Sequence, residues 1–147
     1  MKNILLATTL LVAFSSAAFT KEKDVDTKLF RDLSSTLKNS TQVCWIDKPQ
    51  YKQAMFRFND RTACAFYAAD ENELIGFGIL FDKADLPEVV TDAIKNKYGN
   101  WEIVDAMMFI DTNGHLNYFA QVKKDKKGLA LKISPNGSLS VYAKVPS

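Results

Sequence analysis

Histidine, cysteine, proline and glycine are all scarce in this 147-residue chain, which has one His, two Cys, four Pro and six Gly. A single imidazole and two thiols supply too few nitrogen and sulfur ligands for a zinc centre. The separation of Cys44 and Cys64 matches neither a CxxC redox pair nor a metal knuckle. A one-signed charge block is also missing: 19 basic against 17 acidic side chains leave a formal charge of +2, which excludes a nucleic-acid footprint. Neither a Gly-rich phosphate loop nor a GxSxG elbow occurs. What is present is 47% hydrophobic and 12% aromatic content, enough apolar surface to offset the entropy of ordering a chain. The length suits one domain, or two small units sharing a core.

Long apolar runs are absent except at the start. Lys2 precedes an apolar stretch from Ile4 to Phe14, and small residues Ser15, Ser16, Ala17 and Ala18 follow before the charged Lys21 to Asp24. This is the pattern of a secretory signal peptide, with cleavage after Ala17 or Ala18. The run is about half the ~20 residues a membrane-spanning helix needs. Residues 1–18 are therefore expected to be removed, leaving 19–147 periplasmic or secreted, without stable membrane insertion.

Two stretches have helical periodicity. Between Asp26 and Lys38, Leu29, Phe30, Leu33 and Leu37 form one stripe, with Asp26 or Asp24 as the cap and Asn39-Ser40 as the end. In ADLPEVVTDAIKNKYGN, Asp85 is the expected cap, Pro87 falls in the first turn, and Gly99 ends the helix. Its stripe is Leu86, Val90, Ala93, Ile94 and Tyr98.

The rest reads as strands: QVCWI, YKQAMFRFN, RTACAFYA and ELIGFGILF after the first helix, WEIVDAMMFI, HLNYFAQVKK, GLALKIS and SLSVYAKV after the second. Turn signals Asn59-Asp60, Glu71-Asn72, Asn113-Gly114 and Asn136-Gly137 separate strands too closely for parallel crossovers, so two antiparallel meanders are expected. The halves also resemble each other, with AFYAADENELIGFGI lying over ALKISPNGSLSVYAK and pairing Phe66 with Leu131 and Leu74 with Leu139. The expected fold is α+β: two tandem helix-plus-four-strand antiparallel units, about 24–82 and 83–147, forming one curved sheet with helices on one face.

Alternation assigns faces. Leu129, Leu131, Ile133, Leu139, Val141 and Ala143 are expected under the helices, with Lys132, Ser140, Tyr142 and Lys144 on the outer face. Carried to the first half by the repeat, this puts Phe66, Ala68 and Leu74 inward and Tyr67, Ile75 and Phe77 outward. Gln53, Met55 and Arg57 join the outer face with Asn117, Phe119, Gln121 and Lys123, while QVCWI and WEIVDAMMFI are apolar on both faces and stay unoriented. Cys44 and Cys64 fall two strands apart, about 9 to 10 Å. That spacing favours two buried thiols, with a disulfide as the alternative that an oxidising compartment would suggest.

The order W…YKQAMFRFNDRTACAFYAADENELIGFGILF, LPEVVTDAIKNKYGNWEIVDA, YFAQVKKDKKGLALKISPNGSLSVYAK resembles the beta-lactamase-inhibitor-like, PepSY-like domain of exported bacterial proteins. The AFY strand, the ELIG turn-strand, Leu86-Pro87, Tyr98 and the NG turn carry the resemblance over roughly Ser40 to Lys144. It implies a secreted binding domain that uses its exposed sheet face. Asn72 departs from the Gly common at that turn.

Chemistry-bearing residues all have plain structural accounts. His115 is expected as an exposed hairpin-tip residue. Asp70, Glu71 and Glu73 form a solvated turn rather than a calcium loop, since the DxDxDG spacing is missing. No catalytic set or cofactor is expected. The candidate binding surface is the outer sheet face, with Met55, Tyr67, Phe77, Phe119 and Tyr142 beside the basic Arg57, Lys132 and Lys144, a composition favoured at protein interfaces. The simpler alternative is scattered cross-strand aromatic pairs. The expected function is a non-catalytic exported module docking a protein, such as an envelope enzyme that it restrains. The alternative is a carrier of a small apolar ligand between the second helix and the sheet, with Met107 and Met108 lining the pocket.

Overall fold

The computed structural model describes residues 25–70 and 72–146, so the signal-peptide reading lies outside the described residues. Two α-helices are described, α1 (Thr27–Asn39) and α2 (Glu88–Tyr98), and eight strands. The strands are β1 (Cys44–Asp47), β2 (Tyr51–Phe58), β3 (Arg61–Ala68), β4 (Leu74–Phe81), β5 (Glu102–Asp111), β6 (Leu116–Lys124), β7 (Lys127–Ile133) and β8 (Leu139–Val145). They follow one another through an antiparallel open sheet in sequence order. Every expected helix and strand is present, with ends shifted by one or two residues. The chain divides into two compact units, residues 25–80 with Phe109–Leu116, and Phe81–Met108 with residues 117–146. The first departs from the expected repeat boundary by taking the tip of the β5–β6 hairpin.

In the first unit, the Asp26 carboxylate caps α1 by accepting from the Leu29 N–H at 2.8 Å, as the sequence suggests. Its buried stripe rests on the β2–β4 meander, with Leu33 fully buried and Phe30 edge-on to Phe77 at 5.3 Å. Tight turns make that meander possible. Asn59 and Asp60 both take positive φ, 48° and 65°, the pattern of the primed two-residue turn whose twist matches a hairpin. Asn72, where the resemblance led us to expect Gly, is also left-handed at φ 52°, a state Asn tolerates better than most residues.

In the second unit α2 starts differently from the expectation. Asp85 belongs to a short 3-10 turn, Lys83–Asp85, and Pro87 occupies the N-cap with no side-chain hydrogen bond. Val90, Ala93 and Ile94 of α2 pack on Ala106, Ala120, Val122, Leu131 and Ile133. Burying this set removes several large side chains from water at about 1.5–3 kcal/mol each, so packing rather than a cap holds α2.

Candidate binding surfaces

Cross-strand partners share a face, so the strand register fixes where each candidate points. In the first unit Ala54, Ala65 and Phe77 are opposite one another on β2, β3 and β4, as are Phe56, Ala63 and Ile79. The Phe30–Phe77 and Phe56–Phe77 contacts place this row beneath α1. Phe77 is 1% exposed and is a core residue, not part of an outer surface. The cause is a break in alternation: Tyr67 pairs with Leu74 but Phe66 with Gly76, so Ile75 is an extra residue. Past such a bulge every side chain changes face. Leu74 keeps the expected inward side, whereas Phe77 is turned under the helix.

Tyr67 is likewise on the helix side, because it pairs with Lys52, which shares the face of Ala54 and Phe56. The repeat alignment had set Phe66 over Leu131. Those two occupy opposite kinds of face, since Leu131 packs on α2 while Phe66 meets Tyr51 and Phe109 on the side away from α1. Gly76, opposite Phe66, has no room for a Cβ, which would stand 2.5 Å from the Ile110 carbonyl oxygen and 2.6 Å from the Phe109 ring.

Met55 and Arg57 do lie on the face of the first unit away from α1. Met55 pairs with Cys44 and Cys64, and Arg57 with Thr62. Together with Gln42, Val43 and Phe56 they line a shallow depression of about 330 Å³. The Arg57 guanidinium donates to Thr62 Oγ1 and to the Asp60 carbonyl, so this exposed side chain is pre-ordered by its own turn. Behind it, Cys64 is buried and accepts from Gln53 Nε2 at 3.1 Å. Burial pushes the Cys64 thiol up to about 11, partly opposed by the Gln53 hydrogen bond. Both cysteines are free thiols; Cys44 is exposed rather than buried, because β1 stands at the end of the strand order.

In the second unit Phe119, Lys132 and Ser140 are cross-strand neighbours on the face away from α2, and the Tyr142 ring closes edge-on over Phe119 at 4.9 Å. Phe119 is 2% exposed, so Tyr142 and Lys132 are what this site presents. Desolvation raises the Tyr142 phenol to about 12, which keeps it a hydrogen-bond donor. β8 carries its own bulge: Leu131 pairs with Val141 but Ala130 with Ala143. The extra residue is Tyr142, and beyond it Lys144 pairs with Leu129 on the helix side. Lys144 therefore does not join Lys132, and Ala143 does not face α2.

One prominent residue escaped the alternation argument. Trp45 is 57% exposed and pairs with Ala54, which fixes it on the helix side of the first unit beyond α1. Its ring lies 5.7 Å from that of Tyr67, and the two share a cleft of about 490 Å³ with Asp47, Lys52 and Asn72. Lys52 Nζ donates to Asn72 Oδ1 at 2.9 Å across this cleft, and partial burial raises the Tyr67 phenol. Pivoting QVCWI about the Pro49-Gln50 turn onto Ala54 would have oriented it.

His115 is half-buried, not exposed. It forms an isolated bridge with Val25, and its Nδ1 lies 3.5 Å from Asp111 Oδ2. Asp111 Oδ1 accepts from the Asn113 and His115 backbone N–H groups, so the carboxylate folds the turn that carries the imidazole. No group of three or more metal-ligating side chains occurs among the described residues. The space between α2 and its strands, proposed as an apolar pocket, is filled by the side chains named above. Met107 is fully buried outside that cluster.

No protein-family model matches the chain, and no curated protein does. Solved structures do. A BLIP-like protein from Bacteroides fragilis matches with TM-score 0.63 and 19% identity, covering 91% of this chain and 93% of that one. The chain has a BLIP-like fold. A DUF2874 family protein from Bacteroides uniformis shares it with TM-score 0.62 and 11% identity, covering 81% of this chain and 88% of that one. A Bacteroides eggerthii protein provisionally described as periplasmic gives TM-score 0.59 and 13% identity over 83% of this chain and 88% of that one. At such identities the BLIP-like fold carries over and a binding target does not.

Proposed function

We propose that this chain is a non-catalytic exported module that docks a protein of the envelope or extracellular space through the sheet face away from its described helices. The observation that carries this reading is the Tyr142–Phe119 pair with Lys132 beside it. A half-exposed aromatic seated on a buried one, next to a cation, has the make-up of an interface anchor. Arg57 and Met55 offer a second, separate contact on the first unit, and Arg57 is already ordered before binding. The BLIP-like fold supports protein binding as a class. Export is supported by the signal-like opening of the sequence and by the periplasmic description of one structural relative. No described helix is long and apolar enough to cross a membrane.

The test is affinity capture from the source envelope with wild type, a Tyr142→Ala/Lys132→Ala pair and a helix-side control, Tyr67→Ala. A partner retained by wild type and by the control but lost by the pair supports the reading. Equal recovery by all three defeats it.

A further inference from the structure

Lys126 of the β6–β7 turn, Lys127 at the start of β7 and Lys144, re-aimed by the β8 bulge, meet at a single place. Lys126, Lys127 and Lys144 surround a cleft of about 470 Å³ whose floor is Trp101, Gly128, Leu129 and Val145. Its volume falls in the range of small-molecule sites, about 300–1,000 Å³, and its lining has their usual form of apolar floor and few polar groups. We propose that this cleft binds a small amphipathic anion, one acidic group on an alkyl or aromatic body. The head would lie among the three ammonium groups and the body on Trp101 and Leu129.

Three features make the cleft more than a run of surface lysines. First, it is cationic: among the described residues no carboxylate lines it and none of the three lysines has an acidic partner. Neighbouring Lys123, by contrast, is neutralised by Glu102 at 3.7 Å, which also meets Lys83 at 3.4 Å. Three ammonium groups thus meet at one cleft of a chain whose formal charge is only +2. Second, its floor is fixed. Trp101 is held edge-on to Tyr98 at 5.4 Å and its backbone N–H donates to the Tyr98 carbonyl, while a Cβ on Gly128 would stand 2.7 Å from the Val145 carbonyl oxygen. Third, Lys144 reaches the site through the extra residue Tyr142; strict alternation would have put it on the other face. Bulges that redirect one side chain recur beside functional sites.

The experiment uses the mature chain carrying Trp45→Phe, which leaves Trp101 as the single tryptophan. Emission is followed during titration with monomeric laurate, with dodecanol, and with inorganic sulfate. The expected result is a saturable shift with laurate, at least tenfold weaker binding of dodecanol, and no shift with sulfate. Lys126→Gln/Lys144→Gln should weaken laurate at least tenfold with an unchanged thermal transition, and Lys126→Arg/Lys144→Arg should restore it. Equal binding of laurate and dodecanol, or laurate binding unaffected by the Gln pair, overturns the proposal. So does a shift with phosphatidylglycerol vesicles and none with monomeric laurate. The site is separate from Tyr142 and Lys132, so envelope capture and laurate binding fail independently.

Discussion

β4 and β8 each carry one extra residue, and the two bulges do opposite things. In the first unit Ile75 shifts the register so that Phe77, which strict alternation would expose, is driven beneath α1 against Phe30 and Phe56. In the second unit Tyr142 is itself the extra residue; it stays on the face away from α2 over Phe119 and sends Lys144 across to the α2 side. One bulge near the start of a strand deepens a core. The other, in mid-strand, separates Lys132 and Lys144, which strict alternation would put on one face. An inserted residue thus has no fixed meaning, and its effect depends on which side chains follow it.

The largest test of this comparison is to cut the chain between its halves. Phe66 packs on Phe109, Gly76 lies against the Ile110 carbonyl, and the Asp26 N–H donates to the Gly114 carbonyl at 2.8 Å. A fragment spanning 19–82 lacks all three partners. Neither it nor 83–147 should show a cooperative thermal transition as a monomer. A sharp transition from 19–82 alone would show that the β5–β6 tip is dispensable to the first unit, and one from 83–147 that the second unit folds by itself.

A smaller effect separates the two aromatics. Phe77→Ala should destabilise the chain by about 3–5 kcal/mol, the cost of a large cavity in a packed core. Tyr142→Ala should cost about 1–2 kcal/mol, mostly the ring pair with Phe119. Urea denaturation measures both, and similar losses would erase the distinction between the bulges.

The smallest effect is a pH dependence that between pH 9 and 10 comes from the first unit. Cys64 has its thiol raised to about 11 from an ordinary 9.0 by burial, so the folded state holds the proton more tightly than the unfolded one. Its contribution is complete below pH 9 and is lost as pH rises from 9 towards 11. At about 1.4 kcal/mol per pH unit for one proton, stability should fall by about 1 kcal/mol between pH 9 and 10. Cys64→Ala should flatten that slope. Tyr142, raised to about 12, adds its own loss only above pH 10.

Element positions were legible because they depend on local periodicity and turn chemistry. The stripe Leu29, Phe30, Leu33 and Leu37, the Asn59-Asp60 turn and the RTACAFYA strand are each properties of neighbouring residues. Faces were legible wherever alternation ran unbroken: Met55 and Arg57 on β2, and Phe119 and Lys132 on β6 and β7, lie as expected. Phe77 and Lys144 failed for one shared reason, since no local signal marks Ile75 or Tyr142 as unpaired. Tyr67 failed because the repeat alignment was one residue out of phase on β3.

By itself, then, the sequence determined the order of helices and strands, their antiparallel pairing and the aromatic and basic stock from which a binding surface is built. Tertiary structure decided which of those residues a partner can reach. Register is set by pairing between strands, and a single unpaired residue reverses every side chain beyond it. That reversal buried Phe77, left Tyr142 presented over Phe119, and brought Lys144 to Lys126 and Lys127.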